Sequence, residues 1–297
     1  MIEKQSFHVD KRRVRRAFER SATDYDNVAV LQREVGARML ERLDLVRIKP
    51  AQILDVGCGT GQITCDLMRR YRNGRVIALD VAFAMLRRTR DAAGWWRKPL
   101  LLGGDAESLP LADASVDLIC SSLTLHWCND LDQTLRELRR VLAPGGLLLV
   151  TMLGPGTLKE LRASWAAADD RDHVNGFIDM HDIGDAMMRA GFADPVVDAE
   201  VLRLTYPGAL ALMRDLKRLG AHNSTYGRPR GLTGKDRLRR VYDAYERFRT
   251  ADGLLPASYE VIYGLAWAGF ERRFVRGAQP EPREVYVPLP KVRRSTT

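Results

Sequence analysis

The strongest constraint on this chain is a repeated alternation of short apolar runs with amphipathic stretches, starting near residue 50. AQILDV (51–56), RVIALD (75–80), PLLLGG (99–104), VDLICSS (116–122) and LLLVTML (147–153) are each continuously apolar, as parallel strands buried on both faces must be. Between them, stretches such as QITCDLMRRY (62–71), AFAMLRRTRDAA (82–93) and DLDQTLRELRRVL (130–142) carry helical periodicity. Repeated strand–helix units connected by right-handed crossovers predict an α/β fold with a doubly wound, mostly parallel sheet. Pro144-Gly145-Gly146 predicts a turn before the fifth strand.

The flanking segments are less regular. Residues 1–45 read as a helical arm, with Phe18, Val28, Leu31, Val35, Met39 and Leu43 at helical spacing. After Leu153, helices are expected over 156–170, 181–192, 209–221 and 234–249, and strands over 195–206 and 258–269. The domain expected over 46–270 is thus interrupted by helical insertions at about 156–178 and 208–250. The proline- and arginine-rich end, 271–297, lacks periodicity and is expected to be a disordered basic tail.

The loop LDVGCGTG (54–61) ends the first strand and opens a helix. Gly57, Gly59 and Gly61 remove side chains where the backbone must turn and approach a ligand. Asp55 stands just before them, a poor neighbour for the pyrophosphate of a dinucleotide but a good one for a cationic ligand. The amino group and sulfonium of S-adenosylmethionine fit that requirement. Asp80 ends the second strand, where a carboxylate can accept both hydroxyls of a ribose. Asp105, in GDAESLP after the third strand, is placed to accept from an adenine amino group. Met85 and Leu86 read as core residues, one of which could line the adenine pocket.

This set resembles the class I S-adenosylmethionine-dependent methyltransferases over residues 48–206 plus the last strand. The resemblance implies a Rossmann-like, seven-stranded sheet with helical insertions forming a cap. It also implies that Asp55, Gly57 and Gly59 face the methionine part of the cofactor, Asp80 the ribose, and Asp105 with Ala106 the adenine. A longer signature, AFERSATDYD (17–26), SSLTLHWCNDL (121–131), GTLKELRASW (156–165), MRDLKRLGAHN (213–223) and LPASYEVIYGLAW (255–267), is similar to the BioC family. Those enzymes are malonyl-acyl-carrier-protein O-methyltransferases of bacterial biotin synthesis. Complex I assembly factors on the same fold, which hydroxylate a protein arginine, share much of this signature. A small-molecule or quinone methyltransferase is the third alternative.

A malonyl carboxylate is ionised at pH 7 and needs no base to become a nucleophile. The parts required are groups that orient it and a lid that excludes water. Tyr25, in an expected helix-ending Asp-Tyr-Asp, could close over the methyl group or simply pack in the core. His126 could donate to the acceptor, and Trp127 could wall the pocket. Lys217, Arg218 and His222 could meet carboxylate or phosphopantetheine phosphate. His173 and His181 have no partner at metal-ligand spacing, so no metal site is expected.

Charge sharpens the choice of partner. The net +9 divides into +4 over residues 1–16, +8 over 203–249 and +4 over 271–297, around a remainder of −7. An acidic acyl carrier protein bearing malonyl-phosphopantetheine would be steered by a basic cap, with Arg228, Arg230, Arg237 and Arg240 as candidate docking residues. The same arginines could instead balance the acidic stretch 101–200, which holds seven bases and seventeen acids. Nucleic acid is not expected. No apolar run reaches the ~18–20 residues of a membrane span, and the first residues lack the apolar core of a signal peptide. With four scattered cysteines and no CxxC pair, these features predict a cytoplasmic protein.

Overall fold

The computed structural model describes residues 8–221, 223–225 and 233–269. Seven strands form one sheet in the order β3-β2-β1-β4-β5-β7-β6: β1 (Gln52–Val56), β2 (Arg75–Asp80), β3 (Leu100–Gly103), β4 (Val116–Ser122), β5 (Leu142–Leu153), β6 (Phe192–Tyr206) and β7 (Leu255–Ala268). The first five pair in parallel, while β7 inserts antiparallel between β5 and β6. The strand order reverses between β1 and β4, and the crevice at the carboxyl ends of the strands there is where open α/β sheets bind ligands.

Helices α4 (Gln62–Arg70), α5 (Phe83–Ala92), α6 (Leu131–Val141) and α8 (Met180–Arg189) flank the sheet, preceded by α1 (Lys11–Ser21), α2 (Tyr25–Val28) and α3 (Val30–Glu41). The insertions supply α7 (Lys159–Ala166), then α9 (Ala209–Arg218) and α10 (Lys235–Tyr245). The sheet separates two apolar cores. Leu31, Val35 and Met39 of α3 join Leu67, Leu118, Leu149 and Tyr245 on one face. Leu135 and Leu138 of α6 join Leu54, Ile119, Leu148 and Met187 on the other.

Three local expectations change. Pro144-Gly145-Gly146 is an irregularity within β5, not a turn before it: Val116 pairs with Leu142 and Leu118 with Leu147. A Cβ on Gly146 would lie 2.8 Å from Leu142 Cδ1, so only glycine closes that step. Asp24-Tyr25-Asp26 does not end a helix, because α1 stops at Ser21 and Tyr25 opens α2. Strand β7 starts three residues before the expected Ser258. Pro256 is tolerated there because, at that end, β7 pairs with β6 alone. The segment 271–297 lies outside the described residues.

Candidate active site

The loop after β1 is anchored from behind. Gly57 and Cys58 donate their N–H groups to the Leu79 carbonyl at 2.8 and 3.0 Å, and Gly59 donates to Asp80 Oδ2 at 3.0 Å. Gly57 has φ +74° and its missing Cβ would lie 2.1 Å from Thr124 Oγ1. Gly59 has φ +54°, but a Cβ there would meet nothing within 4 Å. The first glycine is demanded by the fold; the second faces open space that a ligand can use. Gly61 sits at the N-terminus of α4.

That space is a concave cavity with about 800 Å³ of empty volume, part of it open to solvent, and small molecules bind in clefts of this kind. Gly57, Gly59, Asp80, Asp105 and Ala106 line it, together with Met85 and Tyr25. Asp55 and Gly61 do not. Asp55 is 1% exposed behind the loop, its Oδ2 accepting from Thr64 Oγ1 at 2.5 Å. Burial pushes its carboxyl up to about 7; the Thr64 bond opposes the shift and the Asp80 charge adds to it. Asp80 Oδ1 accepts from the Ala82 N–H at 2.8 Å, and burial raises this carboxyl to about 6 against the pull of its backbone hydrogen bonds. Asp80 in the cavity wall, with Asp55 buried behind the loop, gives this end of the cavity an acidic character that favours a cation. S-adenosylmethionine, with its sulfonium and ammonium, fits the chemistry of that lining.

The N-terminal arm roofs the cavity. Lys11, Val14 and Phe18 of α1 line it; the sequence assigned none of them to the site, and placed Phe18 only in the apolar stripe of the arm. Val14 and Phe18 stand four residues apart on one face of α1, which was the available signal. Polar ties hold the arm down. Lys11 Nζ reaches Asp105 Oδ2 at 2.6 Å and Glu107 Oε2 at 2.5 Å. Glu19 accepts from the Phe83 and Ala84 N–H groups at the start of α5, at 2.7 and 3.0 Å. Asp26 accepts from Thr60 Oγ1 at 2.6 Å.

A second cavity of about 750 Å³ adjoins the first through four common wall residues, Phe18, Tyr25, Leu123 and Trp127. Tyr25 and Trp127 line both spaces at this junction, with the Phe18 and Trp127 rings edge to face at 5.5 Å. Burial raises the Tyr25 phenol well above its usual range, so it stays protonated. His126 lines only the second cavity. Burial lowers it to about 3, leaving a neutral ring.

The basic candidates lie elsewhere. Lys217 is exposed. Arg218 forms a two-pronged pair with Asp24, tying the late insertion to the arm beside Tyr25. Arg237 pairs with Asp169 Oδ2 at 3.3 Å, whereas Arg240 is exposed. None of these lines either cavity. His222, Arg228 and Arg230 fall outside the described residues. His173 stacks on Trp165 at 3.6 Å and bonds Asp169, and His181 bonds Asp179. No cluster of metal-ligating side chains occurs among the described residues. Cys58, Cys65, Cys120 and Cys128 are all free thiols.

A sheet of this order, with a glycine loop and acidic strand ends around one cavity, defines an S-adenosylmethionine-dependent methyltransferase of class I. Residues 54–150 match the methyltransferase domain family. The YcgJ protein of Bacillus subtilis superposes with a TM-score of 0.57 at 18% identity, over 80% of this chain and 99% of its own. The malonyl-[acyl-carrier protein] O-methyltransferase of Methylovorus sp. is 53% identical over 88% of this chain and 90% of its own length. That of Halorhodospira halophila is 52% identical over 87% and 88%. The chain belongs to the malonyl-[acyl-carrier protein] O-methyltransferase family.

Proposed function

We propose that this enzyme transfers a methyl group to the free carboxylate of a malonyl thioester on acyl carrier protein, giving the methyl ester that enters pimeloyl synthesis for biotin. The observation that carries the reading, beside the family, is the second cavity: largely apolar, and continuous in its walls with the cofactor cavity. When bound, S-adenosylmethionine supplies an electrophilic methyl group. The chain's own residues supply position and dryness. Tyr25, Trp127 and Phe18 narrow the passage between the two spaces, and α1 covers the cofactor side.

No described residue lining the acceptor cavity is Asp, Glu, Lys or Arg. A protein arginine would enter a cavity without a carboxylate to receive it, which disfavours the hydroxylase alternative. A carboxylate would enter one without a fixed cation to occupy its attacking oxygen. The remaining work is alignment and exclusion of water, which act on a nucleophile already ionised.

The carrier would approach the basic cap. Lys217, Arg239 and Arg240 are exposed on or beside the late insertion, and an acidic partner would be drawn to that face over about a Debye length, ~8 Å at physiological salt. Arg218 and Arg237, already paired within the chain, serve the cap's own structure in this reading. The reaction takes place in the cytoplasm.

The deciding assay combines purified protein, methyl-labelled S-adenosylmethionine and malonyl-acyl carrier protein, with acetyl-acyl carrier protein as the control lacking a carboxylate. Label should pass to the malonyl form only. Absence of transfer to it from a protein that binds the cofactor would overturn the reading.

A further inference from the structure

Buried polar side-chain atoms without a hydrogen-bond partner are rare in folded proteins, and each calls for an explanation. Among the described residues, three such atoms have neither a hydrogen bond nor an ion pair: Gln32 Oε1, His126 Nδ1 and Asn175 Oδ1. All three residues line the acceptor cavity. They come from separate parts of the chain: Gln32 from α3 of the arm, His126 from the turn after β4, and Asn175 from the first insertion. Their convergence is therefore a product of the tertiary fold.

Thr157, Tyr206 and Tyr259 in the same walls are already engaged within the protein. Thr157 Oγ1 both donates to the Glu260 carbonyl and accepts from its N–H, at 3.2 Å each. Tyr206 and Tyr259 bond one another. Beside Tyr25 and Trp127 at the junction, these walls offer a ligand two carboxamides and one imidazole, all neutral. A carboxamide turned over presents two N–H donors in place of its oxygen, and a neutral imidazole carries one N–H.

We propose that Gln32, His126 and Asn175 are the positioning residues that select an acyl thioester with a terminal carboxylate, holding that carboxylate by hydrogen bonds from uncharged groups. The inference rests on the carboxylate-acceptor reading above and adds how the acceptor is distinguished. Uncharged donors fix the direction of a carboxylate while leaving a lone pair available, which a tight ion pair would not. They also reject an acyl group that lacks the carboxylate, because its binding would leave all three groups buried without partners. A site built to satisfy such groups discriminates strongly against the analogue that cannot.

The test uses equilibrium binding in the presence of S-adenosylhomocysteine, so that no turnover occurs, with S-malonyl-pantetheine and S-acetyl-pantetheine as probes. The wild type should favour the malonyl probe by about 100-fold or more. The near-isosteric pair Gln32→Glu and Asn175→Asp decide the matter, since each alters charge with little change of shape. Each should weaken the malonyl probe by about tenfold or more, through like-charge repulsion, and leave the acetyl probe unchanged. Gln32→Leu and His126→Phe should shrink the malonyl-to-acetyl ratio. Binding of S-adenosylhomocysteine, whose cavity these residues do not line, reports that each variant is folded. Unchanged probe ratios in Gln32→Glu and Asn175→Asp would overturn the inference alone, while the wild type still methylates malonyl-acyl carrier protein. A wild type that transfers nothing to that carrier overturns this inference and the proposed function together.

Discussion

Lys11 Nζ lies 2.6 Å from Asp105 Oδ2, which joins the first helix of the arm to the loop after β3 in the wall of the first cavity. The ammonium is about one-third exposed and touches Glu107 as well. Glu107 Oε1 in turn accepts from the Asn129 and Asp130 N–H groups, so one lysine connects the roof, the loop after β3 and the loop before α6. Burial pulls the Lys11 ammonium down, but its bonds to Asp105 and Glu107 prevail and hold it above its ordinary value.

Lys11→Met should therefore loosen the roof. A partly exposed pair contributes only ~0.2–1 kcal/mol, so the loss of global stability will be small. The clearer readouts are faster proteolysis within α1 and weaker cofactor binding by calorimetry, the latter because Val14 and Phe18 lose their hold over the cavity. A raised lysine pKa stabilises the fold at pH values below the unfolded value of 10.5, and that contribution disappears as pH climbs through the folded value.

Asp55 and Asp80 carry the opposite linkage to an ordinary surface carboxylate. Their folded values, about 7 and about 6, exceed the model-peptide 3.8, so the ligand-free fold is favoured by their protonation and loses that stability as pH rises through 6 and 7. A cation in the cavity is favoured by ionised carboxylates, Asp80 in the wall and Asp55 behind the loop. S-adenosylmethionine affinity should increase from below pH 6 to above pH 7, with proton release visible as a buffer-dependent binding enthalpy. Asp55→Asn should raise the ligand-free Tm above pH 7 and weaken cofactor binding; a fall in both would contradict the electrostatic role.

Gly57 and Gly59 should fail in different ways. Alanine at Gly57 must place its Cβ within 2.1–2.7 Å of Thr124, an overpacking that costs about 1–3 kcal/mol on top of the left-handed backbone. Alanine at Gly59 meets no protein atom and should cost ~1–2 kcal/mol at most, yet it fills space next to the ligand. Thermal melts paired with cofactor titrations separate the cases: Gly57→Ala unfolds earlier, while Gly59→Ala stays folded and binds poorly.

Tyr25 belongs to the walls of both cavities, so its ring and its hydroxyl can be tested apart. Tyr25→Ala opens the passage and should reduce kcat by ~100-fold through misalignment and entry of water. Tyr25→Phe keeps the ring and should lose much less. Equal losses in the two variants would assign the work to the hydroxyl.

Charge reversal at the exposed Arg239 and Arg240 should raise KM for malonyl-acyl carrier protein more than it lowers kcat, with steeper salt sensitivity in the wild type than in the double variant. Arg237 is the wrong place for this test, because its reversal also breaks the pair with Asp169.

Which parts of this protein could be read from residues alone follows from the range of the forces involved. All seven strands were legible, because a buried strand needs a continuous apolar run and a breaker at each end, both local properties. That Gly57, Gly59, Asp80, Asp105 and Ala106 would share one cavity was legible for a related reason: they follow the ends of neighbouring strands, and parallel pairing brings those ends to one edge. The placement of Asp55 behind the loop was not, since it depends on Thr64 from the following helix reaching back to its carboxylate. The acceptor cavity was less legible still. Lys217 and Arg218 looked like its donors by charge, but the fold leaves one in solvent and gives the other to Asp24. Gln32 and Asn175, unremarkable in sequence, lie 143 positions apart and meet His126 only after the arm and the first insertion close over the sheet. Strand pattern and loop chemistry are written in neighbouring residues; a cavity between segments is decided by packing, which determines which polar groups find partners inside the protein and which are left to a ligand.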